Sequence, residues 1–446
     1  MKMGGITRTL CLRIRATSII MVLFAIQKSF AKRCLASRKE LGRFQRFGRL
    51  AMGLMVKFSK SKRMAERNSS RTSSKRTGRL KVIFCTDGIF PHAVGGMQRH
   101  SRLLLEALGR TGEVDLVVLH PHPEERIFSA FPQIEEVTLP PLPEKKHYFL
   151  ELRDYSRLVL AEVAQRPDHL VYAQGLSVWK GIGKVADRTV INPHGLEPYQ
   201  ALGWKARLKT APYRFVFNRL FRQAAYVISL GGRLTHILNR KSSAVVVLPN
   251  ATNPVAMEAA SLHKTPAKPM RFMFAGRFAH NKGIEVLLEA ALQLNQAGRS
   301  ADFQLDLVGK GPLFESLKSK YALPNVNFLG FVSDEALARC YLESHVFVLP
   351  TLFEGMPTVV LEAMARAMPI IVTDVGATRE LVDTSNGIII EKQDIPDLVR
   401  AMTTLLDLSA HDFSELSQHS LQKFLARFTW EAVAQQHLDL FRKMKS

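Results

Sequence analysis

The chain is poor in cysteine. Its four cysteines, Cys11, Cys34, Cys85 and Cys340, are scattered over 446 residues, with no CxxC and no Cys/His pairing at ligand spacing. That excludes a disulfide framework and gives no zinc site, so a reducing, cytosolic setting is the plain expectation. The apolar stretch Ala16–Gln27, uncharged between Arg15 and Lys28, is twelve residues long and too short to span a bilayer. It resembles a signal-peptide core, but no small-residue cleavage site follows it, and the cysteine usage argues against export. Acidic residues are nearly missing from one region. Residues 1–79 hold 21 Lys/Arg against 2 Asp/Glu, which leaves 41 against 37 in the rest. The formal charge of +23 therefore belongs to a tail, and no nucleic-acid partner is expected of the nearly balanced remainder.

What is present fits a soluble globular protein of two or three domains: 46% hydrophobic residues and a mean hydropathy of −0.01. In the tail, Leu41, Phe44, Phe47, Ala51, Leu54, Met55 and Phe58 recur at helical spacing among Arg43, Arg46, Arg49 and Lys57. Such a basic amphipathic helix suits peripheral contact with the inner face of an anionic membrane. An organellar transit peptide, or upstream sequence that a start at Met64 would leave out, remains the alternative.

From Leu80 onward, short apolar runs alternate with helical patterns. "LKVIFC", "VDLVVLH", "HLVYAQ", "RTVIN", "AYVIS" and "AVVVLPN" read as buried strands. A stretch with three prolines and no clear period follows Asn250. The alternation then restarts with "MRFMFAG", "FQLDLVG", "VNFLG", "VFVLP" and "PIIVTD". The pattern predicts parallel βαβ units in two α/β domains, 80–250 and 265–425, with residues 1–79 as a basic tail and 428–446 as a C-terminal helix of undetermined packing. Ligands of open parallel sheets sit beyond the strand C-termini. Two such sheets facing one another would share a cleft, which singles out the post-strand loops holding Gly95, Gly96, His194, Asn250, Arg277, Lys282, Gly309 and Glu354.

Four motifs stand there. "AGRFAHNKG" places Arg277 and Lys282 around a helix start, where cations oppose the helix dipole; a bound diphosphate is the simpler explanation. "VGGMQRHS" puts Gly95 and Gly96 at the first strand-to-helix turn, where a missing side chain lets a phosphate approach the backbone. That pair alone more often just makes a turn. In "PTLFEGMPTVVLEAMARAMP", Glu354 precedes the free N–H groups of Gly355, Met356 and Thr358, and Glu362 lies beside core positions, where a carboxylate needs a partner. "INPHGLEP" adds His194 in a Pro/Gly loop; Glu197 carries no signal of its own. No Asp-x-Asp occurs, so a departing diphosphate would depend on cations and helix N-termini and not on a metal.

With "VLPN", "FAGRFAHNKGIEVLLEA", "LVGKGPLFESL", "NVNFLGFVSDEAL" and "GATREL", these motifs together resemble the retaining family 4 glycosyltransferases over nearly all of residues 80–446. The resemblance implies two Rossmann-like domains facing across a cleft, the GT-B fold. It implies a nucleoside-diphosphate sugar as co-substrate, UDP- or GDP-linked, with no cofactor or metal. The acceptor would be a lipid-linked or saccharide hydroxyl. By the same resemblance Arg277 and Lys282 bind the diphosphate, and Glu362 the ribose. Glu354 with the Gly355 and Met356 amides faces the sugar, and the Thr358 and Val359 amides assist the phosphates. Gly96 admits them and His194 steers the reaction beside the sugar, so that His194, Glu354, Arg277 and Lys282 form the catalytic set. Ala251 and Met368 stand where glycine is common in the family. A GT-B epimerase or phosphorylase and a non-catalytic sugar-nucleotide-binding scaffold are the rival readings.

Overall fold

Strand β1 (Leu80–Cys85) shows why the chain builds a covered sheet. Val82 and Phe84 join one core while Ile83 and Cys85 join another, so alternate side chains are buried on opposite faces. The computed structural model describes residues 78–93, 95–123, 126–141, 148–200, 204–255 and 264–446. The amphipathic pattern proposed for the tail lies outside the described residues, as does Val94 of the glycine turn. Around β1 assemble β2 (Val114–His120), β3 (Ile134–Thr138), β4 (Leu170–Gln174), β5 (Thr189–Asn192), β6 (Tyr226–Ser229) and β7 (Val245–Val247). They form an all-parallel sheet in the order β3-β2-β1-β4-β5-β6-β7.

The second lobe repeats the plan. Strands β8 (Met270–Ala275), β9 (Phe303–Val308), β10 (Val326–Gly330), β11 (Val346–Leu349), β12 (Ile370–Thr373) and β13 (Gly387–Ile390) run parallel in the order β10-β9-β8-β11-β12-β13. The order reverses between β1 and β4 in one sheet and between β8 and β11 in the other. At such switch points the loops part and leave a crevice. The expected α/β architecture with two Rossmann-like sheets is what the chain forms.

The helix Trp430–Lys445 follows the second lobe in sequence and packs on the first. Trp430, Val433, Leu438 and Phe441 enter the core that holds Val82, Phe84 and Tyr172. Polar groups fix its register. Asn192 Nδ2 donates to Tyr172 Oη (2.9 Å), and the Tyr172 hydroxyl donates to His437 Nε2 (3.3 Å). The other ring nitrogen, Nδ1–H, donates to Val433 O (2.8 Å), so the imidazole is used at both ends in its neutral form.

Burial pushes His437 down to about 4. In the unfolded chain it titrates near its ordinary value of about 6.5, so the unfolded state binds the extra proton as pH falls. The stability is complete above about pH 6.5 and is lost as pH drops through about 4. The unfolding free energy from urea titration is expected to fall by upwards of about 1.4 kcal/mol in this window, and by less in His437→Leu, which cannot protonate.

Candidate active site

Both lobes turn the C-terminal edges of their sheets toward one cleft of about 1000 Å³. From the first lobe, the helix Gly96–Thr111 starts at its rim. The N-cap is Gly95, which has no side chain to accept a bond, and the first turn carries no acidic residue. From the second lobe, the helix Thr358–Met364 starts there too, with Pro357 at the N-cap and again no acid in its first turn. The helices that begin at Asp334, Ile395, Ala410 and Trp430 are capped by the side chains of Ser333, Asp394, Ser409 and Thr429, while those at Ala211, Gly232, Ile284, Phe314 and Thr378 are also without a side-chain cap. Two positive helix ends with no capping acceptor therefore converge on one space. A Cβ on Gly96 would meet no atom within 4 Å, so the room beside it is open to a ligand.

Lys282 reaches the cleft because its turn is docked. Leu352 N donates to Asn281 O (2.8 Å) and Thr351 Oγ1 to the same oxygen (2.9 Å). Gly283, at φ +68, passes so close to Pro350 that a Cβ would lie 1.8 Å from its carbonyl oxygen. The ammonium then pairs with Glu354, both groups largely shielded from solvent. Two residues expected to grip different parts of a ligand thus grip one another in this structure.

Glu362 has the partner that its position demanded. The buried Tyr341 hydroxyl donates to Glu362 Oε2 (3.1 Å), and Arg366 spans the Tyr341 ring (5.0 Å) while donating to Glu362 O (2.9 Å). Burial raises the Glu362 carboxyl above its ordinary value; the Tyr341 bond and the Arg366 charge act the other way. The free oxygen, Oε1, is the one left for a ligand hydroxyl.

His194 sits at φ 55 in the left-handed region, unusual for a residue with a side chain. Its N–H donates to Asn192 Oδ1 (2.9 Å), and Nε2 meets Gln174 Oε1. Gln174 Nε2 donates to Ser101 Oγ (3.0 Å), whose hydroxyl donates to Met97 O (2.9 Å). That chain orients the amide with its oxygen toward the imidazole, so Nε2 carries the proton and Nδ1 is left as an acceptor. Burial, with His437 adding to it, holds His194 down at about 3, so the ring is neutral at physiological pH.

Of the expected residues, Gly95, Gly96, His194, Lys282, Glu354, Gly355, Met356, Thr358, Val359 and Glu362 line the cleft. Arg277 does not: its side chain is exposed and outside the lining. Gly309 also stays outside, where its backbone packs on Gly276. Others were not anticipated. Arg99 and His100 line the wall within the quoted "VGGMQRHS", three and four residues after Gly96 and so on its helix face. His100 is buried with both ring nitrogens unpartnered, set edge-on to His194 (4.8 Å between centroids) and beside Trp430 (5.3 Å). Asn250, which the post-strand loops did single out, also lines the cleft and crosses between lobes, donating from Nδ2 to Met356 O (3.2 Å). Trp430 had no local signal, because its place depends on where the last helix packs.

This arrangement of two parallel sheets sharing a cleft at their switch points defines a GT-B glycosyltransferase fold. Family models described as "Glycosyltransferase Family 4" and "Glycosyl transferases group 1" match residues 94–255 and 269–408, more than half of the chain between them. The chain belongs to this family of glycosyltransferases. Alpha-D-kanosaminyltransferase of Streptomyces kanamyceticus is 27% identical over 177 residues, 39% of this chain and 45% of that protein. The chain thus spans about half the length of the curated relatives it matches first. Among solved structures, the sucrose-phosphate synthase of Thermosynechococcus elongatus superposes with a TM-score of 0.64 at 24% identity, covering 82% of this chain and 99% of that one. Anabaena HepE in complex with UDP superposes with a TM-score of 0.56 at 15% identity, covering 82% and 100%.

Tyr341→Phe keeps the packed ring and removes the hydroxyl that bonds Glu362 Oε2 (3.1 Å) and reaches Val359 O (3.3 Å). Its kcat/KM is expected to fall about tenfold, chiefly through the KM of the sugar donor, with thermal unfolding little changed. An unchanged KM would separate Glu362 from ligand binding.

Proposed function

We propose that the protein transfers a sugar from a nucleoside-diphosphate sugar to a hydroxyl acceptor, without a metal and with retention of anomeric configuration. The observation that carries this reading is the convergence of two helix N-termini without capping side chains, together with Lys282, on one cleft. A diphosphate is the ligand such a site suits: helix N-termini favour anions, and fixed dipoles stabilise the charge that grows on a leaving phosphate. The fold neighbour HepE was solved with UDP, which agrees with this choice of donor class.

The residues then divide the donor between them. Glu362 Oε1 accepts a bond from a ribose hydroxyl while Tyr341 holds the other oxygen. Entry of the diphosphate draws Lys282 from Glu354, and the freed carboxylate takes sugar hydroxyls beside the Gly355 and Met356 amides. Arg277 joins the diphosphate when the lobes close further. In the transfer, the bond from the anomeric carbon to the phosphate oxygen breaks as the bond to the acceptor oxygen forms on the same face. The leaving phosphate oxygen takes the acceptor proton, so no separate base is required. Neutral His194, with Nδ1 free to accept, orients a sugar hydroxyl and adds no charge beside the anomeric centre. The acceptor is a lipid-linked or saccharide hydroxyl that enters along the Arg99 and His100 wall.

Among the described residues, one group has metal-ligand spacing: His411, Asp412 and Glu415, which are exposed and do not line the cleft. Nucleotide release from a panel of UDP- and GDP-sugars tests the proposal. The expected result is turnover with one donor that EDTA leaves unchanged and Lys282→Ala lowers by about a hundredfold. Loss of activity with EDTA would overturn the metal-free mechanism. Donor binding without turnover on any acceptor would favour a scaffold. Arg277→Ala is expected to match Lys282→Ala; a wild-type rate would remove Arg277 from the site.

A further inference from the structure

Between Pro198 and Met257 the chain has no Asp or Glu, against nine Lys/Arg. Within this stretch lies a pair of helices on the first lobe whose outer face no described residue covers. In the first, Trp204–Lys209, every residue whose burial is described is exposed, including Trp204 (71%) and Leu208 (69%), which lie one turn apart on the same face. A six-residue helix is not stable in water by itself, and none of the described side chains of this one is buried to hold it. Arg214 of the next helix donates to Arg207 O (2.8 Å), tying the two together. That next helix, Ala211–Gln223, buries Val216, Phe217, Leu220 and Phe221 and turns Pro212, Phe215, Arg219 and Arg222 outward. Phe215 is 71% exposed.

Large apolar side chains framed by lysine and arginine, with no carboxylate among them, are complementary to one kind of surface. We propose that this face seats the first lobe on an anionic phospholipid bilayer, with Trp204, Leu208 and Phe215 in the headgroup–acyl boundary and Lys205, Arg207, Lys209, Arg219 and Arg222 on the lipid phosphates. Soluble partners are matched less well, because a protein surface would have to supply both the apolar depth and a dense negative charge. The location gives the contact a purpose. Gln200, whose Nε2 donates to Glu354 O (3.4 Å), is four residues before Trp204, so the two Cα atoms are at most about 14 Å apart. The bilayer would then lie beside the cleft, where a lipid-linked acceptor must enter. This purpose rests on the proposed acceptor class, but the binding itself does not.

The test is tryptophan quenching in the full chain, using vesicles of phosphatidylglycerol and phosphatidylcholine with brominated acyl chains, and pure phosphatidylcholine as control. The tail has no tryptophan, and of Trp179, Trp204 and Trp430 only Trp204 belongs to this face, so the signal reports on the face and not on the tail. Quenching is expected on the anionic vesicles, to weaken with salt, and to vanish in Trp204→Phe. Leu208→Ser with Phe215→Ser, both at exposed positions, should lower the partition coefficient at least about tenfold with unchanged circular dichroism. Vesicle binding without quenching would assign the contact to the tail and overturn the proposal, as would no binding at all. Conversion of a dimer to a monomer by the same pair of substitutions would also overturn it, giving the face to a second copy. No sugar donor is present, so a negative result here leaves the transfer reaction untouched, and an inactive enzyme leaves this result standing.

Discussion

Two helix starts, at Gly96 and at Thr358, face a common space with no side chain placed to cap them, and most of the molecule is arranged around that choice. Leaving first-turn N–H groups uncapped gives up roughly 1 kcal/mol per helix. Parallel sheets make the arrangement natural, because every strand delivers the chain to its C-terminal edge and each following helix begins there. Placing two such edges against each other doubles the positive field in one cleft. That field favours the carboxylates of Glu362 and Glu354, and the cost of shielding them from water is offset by specific partners, Tyr341 for one and Lys282 for the other.

The same cleft depends on backbone approaching backbone. Gly376, at φ +52, lies where a Cβ would come within 2.2 Å of Glu354 O and 2.5 Å of Gly355 O, and its own carbonyl accepts from Arg233 N of the first lobe (2.8 Å). Asn250 adds a second tie to the Glu354–Met356 loop. The loop that carries half of the candidate site is thus held by its own lobe from behind and by the other lobe from the side. Rigid support of this kind keeps the amides aimed before a ligand arrives, so little ordering cost falls on binding.

Much of this was readable from residues alone, and the exceptions have physical causes. Strands such as "VDLVVLH" and "FQLDLVG" announce themselves because parallel strands covered on both faces are continuously apolar. Strand β3, "IEEVT", did not, since an edge strand needs one covered face only and two glutamates hide it. "GIII" at β13 was too short to separate from its loop. Glu354, Glu362 and Lys282 were legible as polar groups at strand ends. Their partners were not, because Tyr341 lies twenty-one residues from Glu362 and Glu354 seventy-two from Lys282. Arg277 shows the limit in the other direction: its motif is clear, yet its side chain points to solvent in this arrangement of the lobes.

The last helix has a consequence for how the molecule comes into being. Residues 430–445 complete the core of the lobe that begins at Leu80, and Thr252 on the outward crossing pairs with Thr429 on the return. During synthesis the first lobe therefore emerges with Val82, Phe84 and Tyr172 lacking their final cover, and it keeps that raw face until residues 430–445 have been made. The second lobe, made later, can close first. A protein assembled in this order has this late helix as a quality check on its early lobe: a chain stopped just short of Thr429 would hold Lys282, Glu354 and Glu362 and still expose the core of the other lobe to whatever binds unfolded surfaces in the cell.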